Sequence, residues 1–194
     1  MPRIGVVSAL KDEAERFSES LRFADQRHRE IFQIVQTGIG EERITAALED
    51  SLNVPPDALI VFGTAAGIEP SLAAGDLVIY DSVARKDQAH FTTSKKLNEY
   101  LLDALATLNP HYGIGLSVAT AVCSVNEKQQ IHSTESCLCV DMESATIANW
   151  ALERQIPFAC VRAIVDAAGQ AVPNAALKGM RPDGKTNAPA TCLA

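Results

Sequence analysis

The chain reads Ala58-Leu59-Ile60-Val61-Phe62-Gly63-Thr64-Ala65-Ala66-Gly67 at residues 58–67. Five consecutive apolar residues are typical of a strand that is covered on both faces, as the strands of parallel sheets are. The small residues that follow predict a turn directly after this strand. Such a turn lets backbone N–H groups approach a ligand closely, and Thr64 adds a hydroxyl group. The segment therefore predicts a buried central strand that ends at a binding loop.

Short strand-like segments alternate with longer helical patterns on both sides of this strand. Strands are predicted at residues 4–7, 31–35, 76–83, 114–122 and 158–165, and helices at 11–21, 41–52, 93–108 and 142–155. This alternation predicts an α/β fold, a single-domain, three-layer αβα architecture around a central, mostly parallel, twisted mixed sheet. Because such sheets bind ligands at the carboxyl ends of their strands, we expect a site in the loops after Val7, Phe62 and Val165.

The composition excludes several classes of function. The 194 residues include 17 Lys and Arg against 24 Asp and Glu, which gives a formal net charge of −7, and 47% are hydrophobic. A nucleic acid is not an expected partner, because its phosphates require a basic face. An integral membrane segment is not expected either, since no apolar run approaches the ~20 residues that span a bilayer. The N-terminus does not resemble a secretory signal, so we expect a cytoplasmic protein.

The composition changes after Asp166. Residues 1–165 contain no repeat or credible linker, and we expect residues 1–168 to form one domain. Pro173, Pro182 and Pro189, together with several glycines, break any long helix beyond that point. Residues 169–194 are therefore expected to form an irregular C-terminal tail, or a short helix around Asn174 to Leu177 within an extended arm.

The cysteines and histidines do not form a metal-binding pattern. The cysteines are Cys123, Cys137, Cys139, Cys160 and Cys192, and the histidines are His28, His90, His111 and His132. A zinc site normally takes four ligands at spacings that wrap the ion, and these residues are scattered. We expect reduced, mostly buried thiols and no metal.

Three further segments could carry chemistry. Gly38-Ile39-Gly40 resembles the start of a dinucleotide-binding fingerprint, but Arg43 stands where the pattern requires Gly or Ala, so a dinucleotide-binding module is a weak alternative. Asp141-Met142-Glu143 opens a predicted helix, where acidic residues act as caps and complement the helix dipole. Asp166 ends an apolar strand at the edge where this fold presents catalytic groups, and apolar surroundings favour a neutral carboxylic acid.

Taken in order, these segments resemble the nucleoside phosphorylase superfamily, most obviously methylthioadenosine/S-adenosylhomocysteine nucleosidase. The matching segments, which span residues 3–168, are Ile4 to Leu10 with Glu13, Gly38-Ile39-Gly40, Gly63 to Gly67, Val140 to Ala145, and Pro157 to Asp166. Within that superfamily the short length, the segment Val118 to Ala121 leading to Lys128, and Arg181-Pro182-Asp183-Gly184 look most like the hopanoid-biosynthesis-associated phosphorylases.

The resemblance implies a role for individual residues. Asp166 corresponds to the acid that protonates the purine N7, and Glu143 to the glutamate that holds the ribose hydroxyls, with Met142 packed beside the sugar. Glu13 and Thr64 correspond to the pair that holds an attacking water in the nucleosidases. The general acid is worth ~10²–10⁴-fold in rate, and a carboxylate near the sugar stabilises the developing cation.

The chain also departs from the family pattern. Val165 replaces the serine that commonly orients the catalytic aspartate, and the aromatic residue that stacks on adenine is missing near Cys123. We expect Ala65, Gly67 and Cys123 to join Thr64 in binding the substrate. Lys11 and Arg43 lie near candidate loops, so phosphate stays open as a co-substrate and as the nucleophile; no other cofactor is expected.

The implied activity is cleavage of the N-glycosidic bond of a purine nucleoside that carries a 5′ substituent. The subfamily resemblance indicates adenosylhopane, a lipid-linked adenine nucleoside that requires only peripheral contact with the inner membrane. A methylthioadenosine/S-adenosylhomocysteine nucleosidase or a general purine nucleoside phosphorylase is the enzymatic alternative. A non-catalytic nucleoside-binding protein on the same fold is the alternative from another class. Relatives are homo-oligomers, so we expect a dimer or a larger assembly.

Overall fold

In a computed structural model, the chain is described over residues 2–86, 89–173 and 181–185. The strands are Ile4–Ser8 (β1), Phe32–Gln36 (β2), Ala58–Gly67 (β3), Leu77–Arg85 (β4), His90–Thr92 (β5), His111–Ser117 (β6), Cys139–Asp141 (β7) and Phe158–Asp166 (β8). The helices are Lys11–Ser20 (α1), Gln26–Ile31 (α2), Glu41–Ser51 (α3), Lys95–Ala104 (α4), Val125–Thr134 (α5) and Ser144–Glu153 (α6). The helix considered around Asn174 lies outside the described residues.

The strands form one mixed sheet that partly closes on itself. β2, β1, β3 and β8 are parallel neighbours in that order, and β4 pairs antiparallel with β8. β6 pairs parallel with both β4 and β7, and β7 pairs antiparallel with β3, which completes a ring of strands. The predicted α/β fold with a mostly parallel mixed sheet is confirmed. The ring closure is a feature that the alternation did not predict.

The turn predicted at Gly63 to Gly67 is wrong, because β3 continues through all five residues. Strands from later in the chain pair with this half of β3: Thr64 lies opposite Ala163 of β8, and Ala66 lies opposite Val140 of β7. The small residues serve close packing instead of a turn. A Cβ atom on Gly63 would lie 2.5 Å from Nη1 of Arg162, so only glycine leaves room for that guanidinium.

The segment after β6 also differs from the prediction. A strand was expected over residues 114–122, but β6 ends at Ser117 and residues 118–124 form a loop that leads into α5. A capping box starts α5: Ser124 Oγ accepts a hydrogen bond from Glu127 N at 3.2 Å, and Glu127 Oε2 accepts one from Ser124 N at 3.0 Å. This helix places Lys128 behind the end of β8.

The core lies between the sheet and its helices. Val7, Leu59, Val61 and Ile79 are fully buried in the strands, and α6 buries its Ala148 face against them. Within the described part of the chain, no helix has both the length and the hydropathy needed to cross a bilayer.

Candidate active site

A cavity of about 340 Å³ lies at the carboxyl ends of β1, β3 and β8, within the ~300–1,000 Å³ typical of small-molecule sites. Its walls come from the β1–α1 turn, the second half of β3, the loop before α5, the β7–α6 turn and the end of β8. The lining residues are Ala9, Leu10, Glu13, Ile39, Thr64, Ala65, Ala66, Val118, Ala121, Val122, Cys123, Val140, Asp141, Met142, Glu143, Val165, Asp166 and Val172. Acidic groups therefore face an otherwise largely apolar wall.

Glu13 reaches this cavity from the first turn of α1. Its Oε1 atom accepts hydrogen bonds from the backbone N and the Oγ1 of Thr64, each at 2.9 Å. Its Oε2 atom accepts a hydrogen bond from Leu10 N at 3.1 Å. Donors from two different elements, the β1–α1 turn and β3, thus hold the carboxylate in one place.

A buried ion pair includes Asp141, which directly precedes Met142 and Glu143, the predicted sugar-binding residues. Nε of Arg162 on β8 donates to Oδ2 of Asp141 at 2.9 Å, and both side chains are almost fully buried. Tyr80 Oη also donates to Asp141 Oδ2, at 3.0 Å, while Ser144 donates to Oδ1 through its backbone N at 3.0 Å and its Oγ at 2.7 Å. Although burial alone would raise the pKa of Asp141, the Arg162 guanidinium holds it below the ordinary value.

Arg162 has one atom that this network leaves free. Its Nη2 is buried and has no hydrogen-bond partner among the described residues. Nη1 lies under Gly63, whose missing Cβ would also come within 3.0 Å of Glu13 Oε1. The guanidinium is therefore a fixed positive charge close to Glu13.

Glu143 follows Asp141 in the β7–α6 turn and lines the same cavity. Burial raises its pKa to about 7, and the neighbouring carboxylates of Asp141 and Glu13 act in the same direction, whereas Arg162 opposes them. The Met142 side chain lies next to it on the cavity wall. A carboxyl group with a pKa near neutrality changes its charge within the physiological range.

Asp166 is not in the apolar surroundings that its sequence context predicted. The Lys128 ammonium is ion-paired with Oδ2 of Asp166, and the Lys128 side chain is completely buried. The same Nζ donates to the backbone oxygens of Ala167 at 2.7 Å and Gln170 at 2.9 Å. The sequence context of Asp166 was misleading because its partner comes from α5, 38 residues earlier in the chain. The residues next to Asp166 give no signal for this partner.

The loop before α5 holds Cys123 beside this pair. The thiol is half-buried on the cavity wall, and burial, followed by the negative charges of Glu127 and Asp166, raises its pKa. The chain that leaves β8 then folds over this loop, since Val172 N donates to Cys123 O at 2.8 Å.

A second C-terminal segment, residues 181–185, forms hydrogen bonds with the loops that follow β1 and β2. Ile39 N donates to Pro182 O at 2.9 Å, and Lys11 N donates to Gly184 O at 2.9 Å. Gly184 has a φ of +76°, and a Cβ there would lie 2.3 Å from Ala9 O. A glycine is therefore required for this close approach. The segment fixes the two loops that carry Ala9 and Ile39 into the cavity.

The cavity collects most of the residues that the sequence analysis singled out. Glu13, Thr64, Ala65, Cys123, Met142, Glu143 and Asp166 line it, and Gly67 does not. A Cβ on Gly67 would lie 3.2 Å from Asp166 O, so this glycine lets β3 pass close to the chain leaving β8. Lys128 and Arg162 belong to segments that carry the family resemblance, but the sequence assigned neither residue a role in the site. An arginine within the apolar strand 158–165 was a usable signal for a buried partner, whereas a lysine in a polar helix was not.

The titratable groups in the described residues do not suggest a metal centre. No cluster of three or more His, Cys, Asp or Glu side chains there has the geometry to hold an ion. Burial raises the pKa of Cys137 and of Cys139 to about 12, so both remain protonated thiols. Cys192 lies outside the described residues.

Comparison with known proteins supports a family assignment. Two curated relatives are 5′-methylthioadenosine/S-adenosylhomocysteine nucleosidases: one from Lysinibacillus sphaericus is 24% identical over 87% of this chain and 87% of its own length. The other, from Staphylococcus aureus, is 26% identical over 85% of this chain and 86% of its own length.

Solved structures share the fold. The 5′-methylthioadenosine/S-adenosylhomocysteine nucleosidase of Campylobacter jejuni superposes with a TM-score of 0.75 at 21% identity, covering 89% of each chain. A futalosine hydrolase mutant of Helicobacter pylori superposes with a TM-score of 0.77 at 17% identity, covering 88% of this chain and 90% of that one. The model of the phosphorylase superfamily matches residues 3–188. The chain therefore belongs to the phosphorylase superfamily.

Proposed function

We propose that this protein cleaves the N-glycosidic bond of an adenine nucleoside that carries a 5′ substituent. The observation that carries the proposal is that Asp166, Glu143 and Glu13 line one cavity at the carboxyl end of the sheet. Cleavage of this bond produces a cation-like ribose and an anionic base. A site for it needs a proton donor for the base and negative charge near the sugar.

The three carboxyl groups divide this work. Asp166 delivers a proton to N7 of the leaving adenine, and Glu143 holds the ribose hydroxyls, with Met142 against the sugar. In its ionised form Glu143 also stabilises the positive charge that develops on the ribose. Because the pKa of Glu143 is raised to about 7 by burial, this role requires a pH near or above neutrality. Thr64, Ala65, Gly67 and Cys123 are proposed to shape the substrate-binding site, Gly67 indirectly.

Water is the nucleophile that the geometry favours. The donors that could cradle a phosphate, Leu10 N and the backbone N and hydroxyl of Thr64, are taken by the Glu13 carboxylate. Lys11 pairs with Glu15 on the exposed side of α1 at 3.1 Å, and Arg43 is exposed and outside the cavity lining. A carboxylate in this position repels phosphate and suits a water that must lose a proton.

The 5′ substituent is proposed to be apolar. Leu10, Ile39, Val118, Val122 and Val172 contribute apolar surface to the cavity, and no aromatic residue among the described ones lines it. An aliphatic substituent gains from burial against such a surface at roughly 25 cal/mol per Å². We therefore propose adenosylhopane as the substrate, handled in the cytoplasm at the inner membrane surface. The alternative favoured by the curated relatives is 5′-methylthioadenosine or S-adenosylhomocysteine.

A product assay tests these proposals together. The purified chain is incubated with adenosylhopane, 5′-methylthioadenosine, S-adenosylhomocysteine and adenosine, in H₂¹⁸O buffer with and without phosphate. We expect free adenine from adenosylhopane at the highest kcat/KM, and one ¹⁸O atom in the ribosylhopane product in both buffers. Adenine release that requires phosphate would make the enzyme a phosphorylase. Adenine binding without release from any substrate would make it a nucleoside-binding protein and overturn the proposal.

We also propose that the enzyme is a dimer or a larger homo-oligomer. Several large apolar side chains are exposed in the single chain, including Tyr100 at 65% and Leu108 at 60%. Contact with a second subunit would remove such side chains from water. Light scattering at micromolar concentration measures the mass directly, and a value of 20.8 kDa would identify a monomer.

A further inference from the structure

Lys128 is the least expected group at the candidate active site. Its side chain is completely buried, although lysine is almost never fully buried unless it is paired. Three oxygens surround Nζ: Oδ2 of Asp166 and the backbone oxygens of Ala167 and Gln170. Both carbonyls belong to the segment that leaves β8. The chain therefore builds a cradle for one ammonium group immediately behind the proposed proton donor.

The cradle defines the protonation state of the resting pair. An ammonium has three N–H donors and no acceptor, and each donor here has one oxygen acceptor. A neutral amine would turn its lone pair toward one of these oxygens. The resting pair is therefore an ammonium and a carboxylate, and the proton that a neutral Asp166 would carry is stored on Lys128. The backbone carbonyls cannot take up this proton, so Asp166 is its acceptor.

We propose that Lys128 is a positioning residue that orients Asp166 and stores the proton that Asp166 delivers to the leaving base. This inference rests on the proposed function. As the glycosidic bond breaks, the bonding electron pair goes to the base. One N–H bond of Lys128 breaks and its proton moves to Asp166; the new O–H bond then breaks as the proton moves to N7. Lys128 is left as a neutral amine. The attacking water gives a proton to Glu13, so charge is conserved, and exchange with solvent resets both groups.

The residue before Asp166 gives it no hydrogen bond of this kind, because Val165 is apolar. Lys128 therefore supplies the donor that orients Asp166, and it brings a transferable proton together with that hydrogen bond.

The surroundings of the pair contain few other groups that titrate. On α5 and the loop before it, Cys123 and Glu127 are within electrostatic reach. On β8 the nearest charge is Arg162, and across the cavity stand Glu13, Asp141 and Glu143. Residues 167–173 carry no titratable side chain. Of these groups, Glu143, with its pKa of about 7, governs the acidic limb of the pH profile in every variant.

Two substitutions separate proton storage from simple positioning. Lys128→Arg keeps a positively charged hydrogen-bond donor beside Asp166. This donor cannot transfer a proton, because a guanidinium does not deprotonate in proteins. Lys128→Met removes the charge and leaves Asp166 to carry its own proton. Lys95, which is exposed on α4, provides the matched controls Lys95→Arg and Lys95→Met. The measurement is kcat for adenine release from pH 5 to pH 10, with the melting temperature of each variant.

The expected result is at least a ~100-fold loss of kcat in Lys128→Arg at pH 8, the size of a lost general acid. In Lys128→Met the alkaline limb of the profile moves toward acid by at least roughly one pH unit, because the proton must then be carried by a carboxylic acid, which ordinarily loses it at a far lower pH than an ammonium does. A folded Lys128→Arg enzyme with kcat within threefold of the wild type would overturn proton storage. A loss in Lys128→Met that is equal at every pH would overturn it as well.

A wild-type enzyme that releases no adenine from any substrate in the panel would instead overturn the proposed function, and with it the catalytic role of Lys128. The two failures are therefore distinguishable.

Discussion

Two buried ion pairs end on the same strand, β8, and they differ in what surrounds them. Arg162 and Asp141 form a closed pair, in which Asp141 also accepts hydrogen bonds from Tyr80 and Ser144. Lys128 and Asp166 form an open pair, because among the described residues only the Oδ2 atom of Asp166 accepts a hydrogen bond, whereas both oxygens of Asp141 do. The closed pair uses a cation that does not deprotonate, and the open pair uses one that can.

This difference indicates that the Arg162–Asp141 pair stabilises the fold, whereas the Lys128–Asp166 pair takes part in the reaction. Replacing either partner of a closed pair leaves an uncompensated buried charge and harms the fold. An open pair can exchange a proton with a ligand, because Asp166 lines the cavity and its Oδ1 atom accepts no hydrogen bond from the described residues.

Arg162→Met should lower the free energy of unfolding by about 3–5 kcal/mol, because it strands the Asp141 carboxylate in the core. Urea denaturation followed by circular dichroism measures this effect, with Lys95→Met as the exposed control. A loss below ~1 kcal/mol would mean that Arg162 is not part of the scaffold, and the contrast between the two pairs would disappear.

Glu143→Gln should stabilise the protein at alkaline pH. Burial raises the pKa of Glu143 from 4.5 to about 7, so between these values the folded state binds a proton that the unfolded state lacks. The stability of the wild type therefore falls as pH rises through this window, by an amount on the order of 3 kcal/mol. The free energy of unfolding of Glu143→Gln does not fall in this window, because glutamine does not titrate. Urea unfolding at pH 4 and pH 8 should give a variant advantage only at pH 8, and an equal advantage at both would contradict the assignment.

Asp166→Asn should lower kcat by at least ~100-fold while the protein stays folded, because the amide cannot relay a proton. The measurement is adenine release at pH 7.5, and Asp103→Asn on the exposed face of α4 is the matched control. Near-normal turnover in the variant would remove Asp166 from the chemistry. The open pair would then be scaffold, as the closed one is.

Ser124→Ala should cost about 1 kcal/mol of stability, because it removes the cap of the helix that carries Lys128. Ser124 Oγ accepts from Glu127 N at 3.2 Å. Ser133→Ala, at the exposed end of the same helix, is the control. If the two substitutions cost the same, then the capping box does not help to hold Lys128 in place.

The sequence predicted those parts of the site that depend on local pattern. The apolar run 58–62 identified the central strand, and the acidic residues at 141, 143 and 166 were found because they stand at element ends. No role was predicted for Lys128, because Val125 and Ile131 are the only apolar residues of α5 and the segment resembles a solvated helix. Its burial depends on a partner 38 residues away, and periodicity carries no information about such pairs.

The extension of β3 was missed for a related reason. Gly63 to Gly67 resembles a turn as long as only neighbouring residues are considered. It becomes a strand because β7 and β8, both far along the chain, supply its hydrogen-bond partners. The positions of Glu13 and Thr64 were inferred from the resemblance, and the distances that join them come only from the folded chain.

The most direct test is a crystal structure of the protein with 9-deazaadenosine that carries a 5′-alkyl group, a C-nucleoside whose glycosidic bond cannot be cleaved. We expect N7 of the base within hydrogen-bond distance of Asp166, the ribose hydroxyls on Glu143, and an ordered water on Glu13 facing the anomeric carbon. A base bound away from Asp166, or a sugar that does not contact Glu143, would contradict this expectation.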